Sequence, residues 1–365
     1  MKKTLIVTVL LGVIMSSCAV IQTKVQPNQK TSSAIESSEQ FKEGKFQNTK
    51  AMEPMSLGKF PGYIKRLLTE ERVDIEPVKP VPVLAVTAQA LAQLPSDSIT
   101  LFRLGHSSFL LKAADEYWLI DPVFSDRASP FSFMGPKRFH QPPITIDALP
   151  NIKGVIISHN HYDHLDKDAV KQLVAKVDNF IVPLGIGHDL QNWGVPQNNI
   201  TELDWWQSTK VGGLTLTSTP AQHFSGRGLT DGNKTLWSSW VMKTDTQSLF
   251  YSGDSGYFDG FKQIGEKYGP FDMTIIETGA YDKDWPDVHM TPEQSLQAHI
   301  DVKGAKMLPA HNGTFDLAFH PWYEPLERIT ALAQSAGVDL VTPIVGEPVD
   351  IGGADNRETW WRGLN

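Results

Sequence analysis

Three histidines and one aspartate lie within six residues, in the stretch His159-Asn-His161-Tyr-Asp163-His164. The stretch follows an apolar run, residues 154–158, whose composition predicts a short buried strand. Two histidines at positions i and i+2 of extended backbone point the same way and can bind one ion, whereas Asp163 and His164, after a turn, can face a second. The cluster therefore predicts a metal site on a strand-end loop, in a fold that supplies further ligands from elsewhere.

Apolar strands followed by a polar residue recur later in the chain. The predicted strands and the residues that follow them are 214–219 with His223, 248–252 with Asp254, and 305–309 with His311. Carboxyl ends of strands in α/β sheets meet at one edge, so we expect these residues to complete the site. Asp254 lies between glycines, which allow close backbone approach, and its two oxygens can bridge two ions. The prediction is seven ligands, one of them shared.

Other segments have clear strand and helix patterns. Further strands are predicted at 99–104, 108–112, 117–120 and 274–277, and helices at 87–93 and 166–177. Another helix should begin after Thr291, which has the N-cap residue type, followed by proline in the first turn and a glutamine three residues later. His188, His299 and His320 are expected to be structural.

Charge and cysteine content exclude several classes of protein. The chain of 365 residues carries a net charge of -8 and a single cysteine, Cys18. One thiol cannot build a disulfide framework or an all-cysteine zinc site. An acidic balance argues against a nucleic-acid partner, which usually meets a basic face. No protein partner is evident from the sequence.

The first 17 residues have the pattern of a signal peptide, with Lys2 and Lys3 before an apolar stretch that is too short to span a membrane. Ser16-Ser17-Cys18 resembles the lipobox of bacterial lipoproteins, which predicts lipidation of Cys18. The alternative is an ordinary secretory signal with an incidental cysteine. Because Ala19 rather than aspartate follows, the resemblance favours the outer membrane of a Gram-negative host, with the protein facing the periplasm.

Composition suggests four segments. Residues 1–17 form the signal peptide, and the polar residues 18–50 a flexible tether that starts at lipidated Cys18. Residues 51–97 are a proline-rich extension expected to pack on the core. Residues 98–365 are expected to form the folded domain that contains the predicted metal site.

The sequence resembles the metallo-β-lactamase fold superfamily through His159, His161, Asp163 and His164 and the later His223, Asp254 and His311. Over residues 105–320 it is most similar to the zinc-dependent phospholipase D family that hydrolyses N-acylphosphatidylethanolamines. The resembling segments are 135–139, 156–166, 202–206, 269–272, 279–281 and 311–315.

The resemblance implies an α+β fold, a four-layer αββα sandwich with two zinc ions at one edge of the sheets. His159, His161 and His223 would bind the first ion, Asp163, His164 and His311 the second, and Asp254 both. Imidazole and carboxylate ligands also accept manganese or iron. The expected reaction is attack of a metal-bridging hydroxide on a phosphodiester, with Asp163 also orienting the water.

In the same family His289 matches a position near the phosphate, with a part in catalysis. It precedes the helix that starts at Thr291, and a helix N-terminus favours anions. Two roles are open, stabilising the phosphate or protonating the leaving group. The alternative is a loop histidine packed on Trp285.

Substrate residues are less specified by the sequence. Arg138, Trp206 and Tyr281 lie in the resembling segments and are expected to contact a phospholipid substrate. Arg138 as a solvated loop charge is the alternative, and Trp205, Trp237, Trp240 and Trp285 can serve either an acyl groove or the core. Two other functions are open, a lactone or amide hydrolase of the same fold and a non-catalytic metal-binding envelope lipoprotein.

Overall fold

The computed structural model describes residues 29–52, 62, 65–66, 69–353 and 357–365. The predicted signal peptide and Cys18 lie outside the described residues. The helices are α1 (Gln29–Ser37), α2 (Ala88–Ala92), α3 (Lys167–Leu173), α4 (Ile186–Asn192), α5 (Gly260–Tyr268), α6 (Pro292–Asp301) and α7 (Glu324–Ala336). Over these described stretches, no helix has the length and apolar character needed to cross a bilayer.

Within the described residues, sixteen strands form two large sheets and one small hairpin. The strands are β1 (Phe41–Lys42), β2 (Lys45–Phe46), β3 (Thr100–Gly105), β4 (Ser108–Ala113), β5 (Glu116–Ile120), β6 (Gly154–Ile156), β7 (Phe180–Pro183), β8 (Ile200–Leu203), β9 (Ser208–Val211), β10 (Leu214–Thr219), β11 (Ser239–Lys243), β12 (Ser248–Tyr251), β13 (Phe271–Glu277), β14 (Gly304–Ala310), β15 (Asp339–Leu340) and β16 (Pro348–Asp350). The first sheet has the order β16-β3-β4-β5-β6-β7-β8, and the second β9-β10-β11-β12-β13-β14-β15.

Each large sheet is antiparallel in one half and parallel in the other. Strands β5 to β8 pair in parallel in the first sheet, and β12 to β15 do so in the second. Parallel strands end at the same edge of a sheet, so the loops after β6, β12 and β14 can converge. These are the loops on which the sequence predicts metal ligands.

The two sheets pack face to face through side chains that alternate along each strand. In β4, Phe109 and Leu111 face the other sheet, whereas Leu110 belongs to the outer cluster. In β12, Leu249 and Tyr251 face inward while Phe250 packs outward. This period of two is what a strand buried on both faces requires.

Helices cover the outer face of each sheet. Helices α3 and α4 pack on the first sheet through Val170, Leu173 and Leu190, and α5, α6 and α7 on the second through residues such as Phe261 and Ile329. The layers are helix, sheet, sheet, helix. The predicted four-layer αββα sandwich is therefore confirmed.

Predicted helix starts agree with the observed capping. Asp166 accepts hydrogen bonds from the backbone of Asp168 and Ala169 at the start of α3. Thr291 and Gln294 form a capping box at the start of α6, with Pro292 in its first turn. The helix predicted over residues 166–177 is shorter than expected, since α3 ends at Leu173.

The N-terminal stretch differs from the predicted flexible tether over residues 29–50. Helix α1 is followed by the β1–β2 hairpin, and Phe46 is fully buried against Trp205 and Trp237. Composition alone misses this packing because only a few apolar residues are needed when partners outside the segment supply the rest of the cluster.

We expect Trp240→Ala to lower the free energy of unfolding by about 3 to 5 kcal/mol, because the indole is fully buried between the sheets. The milder Trp240→Phe keeps most of the bulk but loses the hydrogen bond from Nε1 to the carbonyl of Ile157 at 3.0 Å, and should cost about 1 kcal/mol from that bond, beyond the lost bulk. Urea denaturation measures both. Phe133→Ala, at a side chain 76% exposed, is the control and should change stability by less than about 0.5 kcal/mol.

Candidate metal centre

The loop after β6 forms a tight turn that gathers the histidine cluster. The backbone N–H groups of His164 and Leu165 both donate to the carbonyl of His161, at 3.1 and 2.8 Å. His159 and His164 are buried, whereas His161 and Asp163 are partly open toward a pocket. The turn thus presents two ligands before it and two after it, as the spacing predicts.

Three histidine nitrogens meet at the first group. Nδ1 of His161 lies 2.8 Å from Nε2 of His159 and 3.3 Å from Nε2 of His223. Ligands on a tetrahedral zinc ion with bonds of about 2.0 to 2.1 Å are separated by about 3.3 Å. The three nitrogens therefore have the spacing of one face of a metal coordination sphere.

Asp163, His164 and His311 form a second group beside the first. Oδ2 of Asp163 lies 3.3 Å from Nε2 of His311 and 3.6 Å from Nε2 of His164. The strand ends of β6 and β14 bring these residues together across the two sheets. His311 adopts a positive φ of 62°, which turns the chain sharply after β14.

Asp254 lies between the two groups. Its Oδ1 is 3.1 Å from Nε2 of His164, and its Oδ2 is 2.9 Å from Nε2 of His311, 3.8 Å from that of His159 and 3.9 Å from that of His223. Gly253 before it has a φ of +57°, and a Cβ there would be 2.9 Å from both Ser158 and a backbone oxygen. The predicted close backbone approach at this glycine is therefore present.

Several of the converging atoms have no hydrogen bond among the described residues. They are Nε2 of His164, Nε2 of His311 and both carboxylate oxygens of Asp254, all fully buried. These atoms are within ion-pair distance of one another but lack hydrogen-bond geometry. Leaving buried polar atoms unsatisfied is costly. An all-nitrogen and oxygen set of this kind suits zinc, manganese or iron, so the residues present fit a pair of metal ions.

Asp121, which our sequence reasoning did not single out, orients His164. The aspartate follows β5, is fully buried, and accepts from Nδ1 of His164 at 2.7 Å, the backbone N–H of Ser158 at 2.7 Å and the hydroxyl of Tyr251 at 2.6 Å. A carboxylate on Nδ1 turns Nε2 toward the metal position. A single aspartate after an apolar strand was the only sequence signal.

His106 is the second residue that the sequence analysis missed. It lies in the turn between β3 and β4, and its Nε2 is 3.0 Å from Oδ2 of Asp163. Burial, together with the nearby charge of His311, lowers the pKa of His106 to about 3. The neutral ring therefore donates from Nε2 to the ionised Asp163 and fixes that carboxylate.

His289 lies beside both metal groups. Its ring centroid is 5.3 Å from that of His223 and 5.1 Å from that of His311. Nδ1 of His289 is hydrogen-bonded to the carboxylate of Glu277, which is fully buried at the end of β13 and also accepts from the backbone N–H of Ser255. This contact leaves Nε2 as the ring atom that can reach the pocket. Glu277 was not predicted as a site residue.

The two groups differ in charge. Burial lowers the pKa of His161 to about 4 and holds the pKa values of His159 and His223 well below their usual range, so these rings are neutral. Burial would also lower the pKa of His164 and His311, but the carboxylates of Asp254 and Asp163 outweigh it. They raise the pKa of His311 to about 10 and that of His164 well above its usual value.

The carboxylates of the site stay ionised. Burial would raise the pKa of Asp163 and Asp254, yet the neighbouring His164 and other histidines hold both values well below the usual range. The pKa of Glu277 shifts in the other direction, since burial raises it against the opposing effect of His289.

A pocket of about 260 Å³ opens above the site. Its lining residues are His161, Asp163, Phe224, Asp254, Ala280, Trp285, Val288, His289, His311 and Leu317. Metal-group atoms thus form its floor, and apolar side chains form much of its wall. A wall of this kind suits an apolar part of a ligand next to a polar reacting group.

Arg138, predicted as a substrate contact, is not among the residues that line this pocket. The side chain is buried, and its guanidinium donates to the carbonyls of Ser125 at 3.0 Å and Val123 at 2.9 Å. It also lies 5.5 Å from the ring centroid of Phe315. These bonds tie the guanidinium to the loop after β5, and because the side chain is buried, the alternative of a solvated charge is wrong.

Trp206 and Tyr281, predicted as substrate contacts, are not among the residues that line this pocket. Trp206 stacks on Tyr268 at a centroid distance of 6.4 Å, and the Tyr281 hydroxyl donates to Glu324 at 2.7 Å. Among the tryptophans, Trp285 lines the pocket, whereas Trp205, Trp237 and Trp240 are core residues. His188, His299 and His320 lie outside the two metal groups and bond to Asn192, Thr274 and Pro321, respectively.

Sequence comparison adds independent support. The family model described as a β-lactamase superfamily domain matches residues 117–312. An uncharacterised protein of Mycobacterium tuberculosis is 42% identical over 90% of this chain and 88% of its own length. The N-acyl-phosphatidylethanolamine-hydrolyzing phospholipase D 1 of Caenorhabditis elegans is 38% identical over 63% of this chain and 68% of its own length. The outer membrane protein RomA of Klebsiella pneumoniae is 49% identical over 27% of this chain and 75% of its own length.

Structural comparison points to the same fold. A metallo hydrolase of Ignicoccus hospitalis superposes with a TM-score of 0.54 and 23% identity, covering 69% of this chain and 98% of the other. Together with the matched family model, which spans most of both sheets and all seven gathered residues, this assigns the chain: it belongs to the metallo-β-lactamase superfamily and is a metal-dependent hydrolase.

Proposed function

We propose that this hydrolase is a binuclear zinc phosphodiesterase of the phospholipase D type, acting on N-acylphosphatidylethanolamine-like phospholipids. The observation that carries the proposal is the position of Asp254, within reach of both histidine groups, with His289 beside a ligand of each. The similarity to the nematode phospholipase D supports the substrate class. Manganese or iron is compatible with the same residues.

The ligand assignment follows the two groups. His159, His161 and His223 would hold the first ion and Asp163, His164 and His311 the second, and Asp254 would be available to both. Such a pair of ions supplies Lewis acidity, activating water and neutralising charge on phosphoryl oxygens. In this scheme His106 and Asp121 keep Asp163 and His164 in their ligating orientations.

The bond to be broken joins phosphorus to the oxygen of the N-acylethanolamine. Water adds to phosphorus, and the electron pair of the broken bond stays on the leaving oxygen, which needs a proton. His289 is the residue available for this step, because the buried carboxyl group of Glu277 holds its Nδ1 and leaves Nε2 facing the pocket. The apolar wall at Trp285, Phe224 and Leu317 is proposed to contact acyl chains.

We expect the full-length protein, zinc-loaded in detergent micelles, to convert N-acylphosphatidylethanolamine to phosphatidic acid and N-acylethanolamine, detected by mass spectrometry. His289→Ala should keep both ions and lose about 10² to 10⁴ in kcat. His188→Ala, at a histidine outside the centre, is the control. Lactone and amide substrates are assayed in parallel. If those turn over and the phosphodiester does not, the phospholipase D assignment is wrong and the lactone or amide hydrolase replaces it.

Metal content tests the ligand set. Asp254→Ala should lower the affinity for both ions, because it removes the ligand that they share. His161→Ala should lower the affinity for the first ion. We expect losses of more than about 100-fold in affinity, larger than those that follow changes to residues behind the ligands. Elemental analysis after dialysis against a chelator measures retention, again with His188→Ala as the matched control. Full retention in both variants contradicts the site.

The pH dependence of metal affinity should differ between the two ions. The first group is neutral at pH 7, so its ion displaces no proton, whereas the second ion must displace protons from His164 and His311. Affinity for the second ion should rise about tenfold per pH unit for each displaced proton, up to the pKa of His311 at about 10. Calorimetry in buffers of different ionisation enthalpy counts the protons. Equal pH dependence of both ions would speak against this charge distribution.

We also propose that lipidated Cys18 anchors the protein in a membrane, the outer membrane in a Gram-negative host. The similarity to a Klebsiella protein named for the outer membrane supports this location. Cys18→Ser should move the protein from the membrane fraction to the soluble fraction, as seen by fractionation and immunoblotting. A variant that stays in the membrane fraction refutes lipidation as the anchor.

A further inference from the structure

Residues 38–50, here called the N-terminal arm, are attached to the loop that carries His223. Phe46 is fully buried in a cluster with Trp205 and Trp237. Its backbone N–H donates to the carbonyl of Asn233 at 2.8 Å. Lys234 donates from Nζ to the carbonyl of Gly44 at 2.7 Å. The arm is thus docked by one large apolar side chain and by hydrogen bonds on both sides of it.

Asn48, near the end of the arm, forms two hydrogen bonds with the backbone of His223. Its Nδ2 donates to the carbonyl of His223 at 2.7 Å, and its Oδ1 accepts from the N–H of His223 at 3.1 Å. Oδ1 also accepts from Nε1 of Trp237 at 3.0 Å. A carboxamide has the donor and acceptor arrangement of a peptide group, so it can satisfy both backbone groups of one residue. This pairing fixes the peptide planes on either side of the His223 Cα.

The ring of His223 has a separate restraint. Its Nδ1 lies 3.0 Å from the carbonyl of Val288, which directs Nε2 toward Nδ1 of His161. The Val288 contact sets the rotation of the ring, and the Asn48 contact sets the position of the Cα from which the ring projects. Both are needed to hold a ligand atom within a few tenths of an ångström.

The other two ligands of the first group do not depend on the arm in this way. His159 and His161 lie on the same short loop after β6, and Nδ1 of His159 is 2.9 Å from the hydroxyl of Ser158. His223 comes from a different loop, four residues after β10 ends at Thr219. It is therefore the member of the group whose backbone is held by a distant part of the chain, 175 residues away in sequence.

We propose that Asn48 is a positioning residue for the first metal ion. The N-terminal arm would then contribute to metal binding by holding the backbone of the ligand His223. The proposal rests on the assignment of His223 to that ion in the proposed function. The consequence is selective. Loss of the Asn48 contacts lowers the affinity for the first ion and leaves the affinity for the second unchanged, since that ion is assigned to Asp163, His164 and His311.

The test compares three variants of the full chain in detergent micelles. Asn48→Ala removes all three hydrogen bonds. Asn48→Asp keeps the acceptor for the His223 N–H but removes the donor and sets a carboxylate oxygen against the His223 carbonyl. Gln47→Ala, at a neighbouring side chain whose only described hydrogen bond is to the exposed carbonyl of Lys42, is the matched control. Zinc stoichiometry is measured across a chelator series, together with Tm after complete metal removal.

We expect Asn48→Ala to lose one ion at a chelator concentration that leaves two in the wild type, with affinity for that ion about 10- to 100-fold weaker. Asn48→Asp should lose the same ion, and Gln47→Ala should match the wild type. A merely structural role would lower Tm without separating the two affinities, and that result, or wild-type affinity in Asn48→Ala, overturns the proposal. The readout needs no substrate, so failure of the phospholipase D assignment would appear in the assay of turnover and leave this comparison decisive.

Discussion

A single buried carboxylate, that of Asp121, joins the two sheets to the metal loop. It sits at the end of β5 in the first sheet, accepts from Tyr251 of β12 in the second, and bonds to Ser158 and His164 on the loop. A buried polar group that loses its hydrogen-bond partners is costly, so these contacts stabilise one arrangement of the two sheets and the loop. The relative position of the sheets and the direction of the His164 ring are therefore determined by the same interaction. Asp121 also has a φ of 39°, a strained conformation that such a network can maintain.

Around this point the protein concentrates further buried charge. Asp163, Asp254 and Glu277 lie within the same centre as the histidines, and burial by itself favours their neutral forms. The surrounding positive charge of His164 and His311 offsets that effect for the two aspartates. Cations that take the place of those protons meet the same ionised oxygens, and the neutral first group offers lone pairs directly. The site is thus arranged for divalent ions on both sides, by neutral ligands on one and by exchangeable protons on the other.

Much of this centre could be predicted from the sequence because its ligands follow strands. A local cluster and a strand-then-ligand pattern are visible without tertiary structure, and so are the caps at Asp166 and Thr291. His106 lies in a turn between two strands and could not be found that way. Asp121 does follow a predicted strand, but its role as the partner of His164 becomes visible only where the two sheets meet. Arg138 was expected to be accessible, and its burial could not be predicted from the sequence. A basic residue in a loop suggests a surface, but the carbonyls of Ser125 and Val123 give it buried partners.

The arm at residues 38–50 shows a related limit of prediction from composition. The difference bears on the proposed membrane anchor. Polar composition suggests a tether through residue 50, but α1 and the hairpin fold onto the domain, and Thr31 of α1 donates to Glu202 at 2.9 Å. Between the proposed lipidated Cys18 and α1 there remain ten residues, 19–28. Even fully extended, such a segment spans at most about 35 Å.

A tether of 32 residues, 19–50, could reach about 110 Å. Under the proposed lipidation of Cys18, the shorter segment would keep the domain within about one domain diameter of the bilayer, where a lipid substrate is concentrated and a soluble one is not. The segment that limits this distance leads, through Phe46 and Asn48, to the backbone of His223. If Cys18 is lipidated as proposed, the anchor and the Asn48 contact belong to one continuous stretch of chain, and an N-terminal boundary drawn at residue 51 would remove both.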